Sequence, residues 1–220
     1  MIKIYNEDCL DALQKLPDYS VDLIATDPPY CVGASSNGTK SSYTDLNMLK
    51  PFFTELFKQC ARVMKDGKSI YVCTDWRTYP ILYAPFNKFF TQRNLIVWHK
   101  MIGTVYPFYR TDHELIVFGT LGSAKRDFAW ETDVWDIRNS VNQVSKLHPS
   151  QKPIELFEKI IINSSKENDT VLDPFMGSGT TAIACLRLNR QFIGCELNEK
   201  YYDIAKDRID RMMINASSTP

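Results

Sequence analysis

Val21-Asp-Leu-Ile-Ala-Thr26 is a nearly continuous apolar run of strand length, and it stops against two consecutive prolines, Pro28 and Pro29. A run with so little polar alternation belongs to a strand buried on both faces. Proline carries no amide for a ladder, so pairing has to end there. A strand covered on both sides needs helices above and below it, and the rest of the chain supplies them in alternation with further strands. Ile2 to Tyr5 reads as a short strand, followed by a helix over roughly 8–15. A helix is expected over about 45–64, a strand at 69–73, and then a segment that Pro80 and Pro85 interrupt or shorten. Two strands, 95–99 and 115–118, are joined by an irregular, aromatic-rich connection, and residues 120–147 show no long periodicity and read as surface chain. The last third predicts a helix at 153–164 with Pro153 in its first turn, a strand at 170–173 and a helix at 180–188. A strand at 191–196 and a final amphipathic helix from 198 to about 213 complete it. This alternation predicts a single α/β domain over residues 1–214, a mostly parallel sheet with helices on both faces, and a disordered tail at 215–220.

A chain of 220 residues suits one such domain. No stretch approaches the roughly 18 apolar residues of a membrane span. The opening MIKIYNEDCL lacks the basic-then-apolar layout of a signal peptide, so a cytoplasmic protein without membrane contact is expected. The six cysteines are scattered without a CxxC pair, which predicts packed, reduced thiols and no metal site. Net charge is zero, which at first argues against a nucleic-acid partner. The distribution argues otherwise. Residues 76–111 contain no Asp or Glu but hold Arg77, Lys88, Arg93, Lys100 and Arg110. Residues 137–154 are likewise acid-free and hold Arg138, Lys146, His148 and Lys152. A locally basic face on a neutral protein can track phosphates, although scattered surface charge would look similar.

Two turns at strand ends carry the chemistry. Asp173-Pro-Phe-Met-Gly-Ser-Gly-Thr-Thr181 follows a strand and opens a helix. Glycines let the backbone approach a ligand, and a helix N-terminus offers unpaired amides to an anion. A dinucleotide site would show a third glycine, which is missing after Gly177-Ser178-Gly179. Glu196 ends the next strand, where a carboxylate can accept hydrogen bonds from both ribose hydroxyls. The other turn, Asp27-Pro28-Pro29-Tyr30, suits reaction at an exocyclic amine, whose lone pair is delocalised into the base. A carboxylate and a rigid carbonyl that accept its two N–H bonds pull the nitrogen towards tetrahedral geometry; Asp27 and the Pro28 carbonyl fit those parts. Tyr30 can stack on a base flipped out of a duplex. Either turn alone also reads as a plain structural turn.

The two turns in this order resemble the beta-class amino-methyltransferases of DNA, whose motifs are circularly permuted, and the resemblance covers nearly the whole chain. It implies a seven-stranded, Rossmann-like methyltransferase sheet with the N-terminal strand third in the usual count. It also implies S-adenosylmethionine as cofactor, S-adenosylhomocysteine as product, and double-stranded DNA as partner. Tyr5-Asn-Glu-Asp-Cys9 is similar to the family segment whose acidic residue meets the cofactor adenine, which assigns that role to Asp8. His148-Pro-Ser-Gln-Lys-Pro153 resembles the family's HPTQKP element beside the cofactor's methionine end, so Lys152 either pairs with that carboxylate or belongs to the start of the helix. His113-Glu114 and Asp133-Val-Trp135 match further family positions. The resemblance implies that Phe175 lines the cofactor pocket and that amides of Gly177, Ser178, Gly179 and Thr180 face its carboxylate end, next to Asp173. DNA contacts are expected from Lys100, Arg110, Arg138 and Lys146, with recognition drawn from 31–50, 102–111 (where Tyr106, Phe108 and Tyr109 sit) and 120–147. Asp27 favours adenine N6 over cytosine N4, where Ser is more usual. Carbon-5 methylation would need a Pro-Cys nucleophile, and protein glutamine methylation usually shows Asn at this place. An idle binding module or a nicotinamide dehydrogenase leaves Asp27 to Tyr30 without a role. The sequence leaves open a homodimer and a companion restriction endonuclease.

Overall fold

The computed structural model describes residues 1–29, 46–104, 109–123, 131–139 and 151–217. Tyr30, the 31–43 loop, Tyr106, Phe108, Lys146 and His148 lie outside them. In chain order the elements are β1 (Ile2–Tyr5), α1 (Cys9–Gln14), β2 (Val21–Thr26), α2 (Leu46–Val63), β3 (Met64–Thr74), α3 (Tyr79–Asn87) and β4 (Thr91–Thr104). They continue with β5 (Thr111–Thr120), β6 (Val134–Asp136), α4 (Ile154–Ser164), β7 (Thr170–Asp173), α5 (Thr180–Arg187), β8 (Gln191–Cys195) and α6 (Glu199–Ser217).

The described strands form one sheet in the order β1-β8-β7-β2-β3-β5-β4-β6. Pairings are parallel except where β5 runs against β3 and β4. Alternation along the strands feeds two cores. Ile70 and Val72 point into one with Leu13, Phe53, Phe57 and Leu82 of α1 to α3, whereas Tyr71 and Cys73 point into the other with Leu156, Ile160 and Ala184 of α4 and α5. All six residues of β2 are buried, as the run from Val21 to Thr26 predicts. The described cysteines, Cys9, Cys60, Cys73, Cys185 and Cys195, are free and buried.

Three expectations are corrected. Among the described residues the sheet has eight strands, because Val134–Asp136 inside the supposed surface chain pairs with Val97 to His99. Three residues are too few to show a period. What fixes β6 is Trp135, buried against the Lys159 ammonium 5.2 Å from its ring centroid, with its indole N–H donating to the Thr132 carbonyl at 2.9 Å. The strands expected at 95–99 and 115–118 are longer, since β4 and β5 pair from Thr91↔Thr120 to Thr104↔Thr111 and cross-strand bonding carries polar residues with it. The last helix runs on to Ser217, into the segment expected as a disordered tail.

Candidate active site

Strand order places both turns at one point. From β7 the chain winds outward through β8, and from β2 it winds the other way through β3, so β7 and β2 flank the position where the order reverses. Open α/β sheets bind ligands in the crevice outside the carboxyl ends of strands at such a point. A cleft of about 880 Å³ lies there, reaching Asp27, Pro28, Trp76, Asp173, Gly177 and Glu196. The two turns are joined covalently nowhere nearby, yet the Thr26 hydroxyl donates to Asp173 Oδ1 at 2.8 Å.

Asp173 is the fastening rather than an open ligand. It is 2% exposed, and its carboxylate also accepts from the Phe175 amide at 3.0 Å and the Thr181 hydroxyl at 2.6 Å. Burial raises its pKa to about 6 against the pull of these donors. Gly177 turns with φ +51°, and a Cβ there would meet nothing within 4 Å. Gly179, at φ +81°, caps α5, and a Cβ would come within 3.0 Å of Ala205 on α6. Ser178 is tied down by Arg208, whose guanidinium donates to its carbonyl and, at 3.2 Å, to its hydroxyl. Glu196 closes over this turn. Its carboxylate accepts from the Gly177 amide at 3.1 Å and the Asn198 amide at 2.8 Å, and burial nudges its pKa upward despite them.

The neighbours in the sheet complete the wall. β7, β8 and β1 are adjacent, so Asp8, remote in sequence, reaches the same cleft as Gly177 and Glu196. Asp8 caps α1 by accepting from the Leu10 amide at 2.8 Å. Glu7 was not singled out by the sequence, but it lines the cleft beside Asp8, and its buried Oε1 has no hydrogen-bond partner among the described residues. Phe175 is partly buried, its ring 6.1 Å from that of Phe52 in an edge-on arrangement at the cleft.

Across the cleft, Asp27 carries a partner that motif spacing did not assign to it. Lys152, expected near the cofactor carboxylate or the start of α4, sets its ammonium 2.7 Å from Asp27 Oδ2 and 3.1 Å from Glu114 Oε2. Glu114 in turn pairs with Lys100 at 3.3 Å. The result is an alternating row, Asp27–Lys152–Glu114–Lys100, at the floor of the cleft. Burial works against the Lys152 cation, but the Asp27 and Glu114 carboxylates outweigh it and hold its pKa above the ordinary lysine value.

Lys100 is therefore corrected as a DNA contact: it is 7% exposed and spent on Glu114. The acid-free stretch is not one face either. β4 runs parallel to β3, so Lys88 and Arg93 stand at the amino end of β4, away from the cleft, where Arg93 donates to the Thr120 hydroxyl at 3.0 Å. Arg110 and Arg138 differ: both are exposed, just before β5 and just after β6, on the cleft side of the sheet.

Residues 21–207 match the DNA methylase family. The type II methyltransferase M.HpaI of Haemophilus parainfluenzae is 33% identical, over 92% of this chain and 72% of its own length. The DNA adenine methyltransferase YhdJ of Escherichia coli K12 is 29% identical, over 94% of this chain and 82% of its own. Among solved structures, the M1.HpyAVI–SAM complex superposes with a TM-score of 0.75 at 27% identity, covering 96% of this chain and all of that one (100%).

Proposed function

This chain belongs to the DNA methylase family, and on that premise we propose that it transfers a methyl group from S-adenosylmethionine to the N6 amine of an adenine flipped out of duplex DNA. The observation that carries the reading is the meeting of two turns in one cleft: a carboxylate followed by two prolines on β2, and a glycine turn closed by Glu196 on β7 and β8. Adenine is supported by Asp27 and by the likeness to YhdJ. The cleft suits the cofactor. Gly177 leaves open space where any other residue would put a Cβ, and Glu7 Oε1 is a buried acceptor at the wall. Glu196 would hold the ribose hydroxyls, Asp8 and Glu7 the adenine side, Phe175 the apolar edge, and the amides after Gly177 the carboxylate end.

When bound, S-adenosylmethionine supplies an electrophilic methyl on a sulfonium. The protein prepares the nucleophile. Asp27 and the Pro28 carbonyl accept the two N–H bonds of the amine, drawing its lone pair out of conjugation and aiming it into the cleft. Lys152 fixes the carboxylate in place, and the prolines bring no backbone amide to compete for the base. Tyr30 stacks on the flipped base, and Arg110 and Arg138 meet backbone phosphates. A companion restriction endonuclease accords with the type II class of M.HpaI. Sequencing DNA from cells that express the protein should reveal N6-methyladenine at one defined site; N4-methylcytosine would move the reaction to the sister base, and unmodified DNA would sink it.

Glu196→Ala should raise the dissociation constant for S-adenosylmethionine about 10- to 100-fold, since charged hydrogen bonds contribute about 1.5–3 kcal/mol each. Isothermal titration of the folded variant decides it. Unchanged affinity would return Glu196 to a purely structural part, bracing the Gly177 turn.

A further inference from the structure

One residue at the cleft serves neither the cofactor wall nor the Asp27 row. Trp76 follows β3, the strand beside β2, and lines the cleft together with Pro28 and Pro29. The register pairs Thr26 with Val72, and adjacent strands lie about 5 Å apart. The chain leaving β3 thus rises next to the Asp27 turn, on the side away from Gly177 and Glu196. Trp76 is 67% exposed, whereas Trp98 and Trp135 are 1% and 3% exposed. An indole is a large apolar surface to leave in water, and packing does not require this one to be there.

The local structure sets an anchored cation beside it. Asp75 accepts from the Thr78 amide at 2.8 Å, which starts α3, and takes Arg77 Nε at 2.7 Å and Nη2 at 2.6 Å on its other oxygen. The guanidinium so anchored stands 5.9 Å from the Trp76 ring centroid. A planar cation backs the indole, within the range of a cation–π contact. The Asp75 charge is spent inside this turn, so little anionic repulsion faces an approaching nucleotide. An exposed aromatic plane beside an anchored arginine at a cleft is a platform for a π-face, and every nucleobase offers one.

We propose that Trp76 is a second stacking residue, besides Tyr30, that captures the target base as it enters the cleft from the β3 side and holds it level with Asp27. The inference rests on the DNA-methyltransferase reading and adds a specificity-determining residue to it. Binding would be measured by anisotropy with S-adenosylhomocysteine present, on two labelled duplexes bearing the site found by modified-base sequencing. One carries the target adenine and the other an abasic position in its place. Base–aromatic stacking of about 1–3 kcal/mol predicts that Trp76→Ala weakens binding of the adenine duplex about 10- to 100-fold and of the abasic duplex hardly at all. Trp76→Phe should recover most of the loss. The variant's KM for DNA should rise more than its kcat falls, with S-adenosylmethionine affinity at the wild-type value. Equal losses on both duplexes would place Trp76 against another part of the DNA, and no loss on either would make it an unused surface residue; each result overturns the proposal. Methylation of the adenine duplex by the wild-type enzyme separates these outcomes from a failure of the underlying reading.

Discussion

Replacing Asp27 with alanine is expected to lower methyl transfer about 100-fold or more while S-adenosylmethionine binding stays within a few fold of wild type. A preorganised polar contact to reacting atoms is typically worth two orders of magnitude or more in rate. The proposed cofactor wall, Glu7, Asp8, the Gly177 turn and Glu196, lies on the far side of β2, so the substitution should leave it intact. The fold should also tolerate the change. Lys152 loses Asp27 at 2.7 Å but keeps Glu114 at 3.1 Å, and the buried cation remains paired. Single-turnover kinetics and calorimetry on the same preparation test both halves. Retention of more than about a tenth of the wild-type rate would remove Asp27 from the chemistry.

The sheet was legible because the strands nearest the site are almost wholly apolar and end abruptly. β1, β2 and β7 begin and end where the sequence places them, and the prolines after β2 and the Asp173 turn after β7 stop those two sharply. The strands from β3 (Met64–Thr74, against an expected 69–73) to β6 were underestimated. Their ends are polar, and only pairing to a neighbour, as in Thr104↔Thr111, defines them. The same distinction applies to the site. Asp27, Gly177, Glu196 and Asp8 sit at strand ends or a helix cap, where a strand order inferred from the permuted motifs suffices to bring them together. Lys152 and Glu114 could not be matched by that route. One precedes α4 and the other lies within β5, 38 residues earlier in the chain. Only the antiparallel pairing of β5 with β3 carries Glu114 to the cleft, and a single sequence shows no trace of an ion pair at that separation. Lys100 failed as a DNA contact for the complementary reason, because charge counting along the chain does not distinguish a solvated lysine from one buried against Glu114.

That row gives the second large effect. Lys152→Met should destabilise the fold by about 3–5 kcal/mol, because removing one partner of a buried pair leaves its counter-charges uncompensated. In this row the loss leaves two carboxylates, Asp27 and Glu114, against the single cation of Lys100. For a chain of this size each kcal/mol shifts the melting temperature by roughly 2–4 °C, so a fall of about 6–20 °C is expected. The pH dependence has a definite sign. Lys152 has a folded pKa raised above its unfolded value, so its stabilisation is fully present at neutral pH and is lost only as pH rises through the folded value. The wild-type advantage should therefore persist from neutral to mildly alkaline pH. Adding Glu114→Gln to Lys152→Met should restore part of the stability, a coupling that two independent sites would not show. Methyl transfer should not return with it, because Asp27 still lacks the ammonium that orients it. Melting curves of the four proteins in this cycle across pH measure every term. A single variant within about 2 °C of wild type, or a double variant whose loss is the sum of the two singles, would show that the row contributes neither stability nor order to the site.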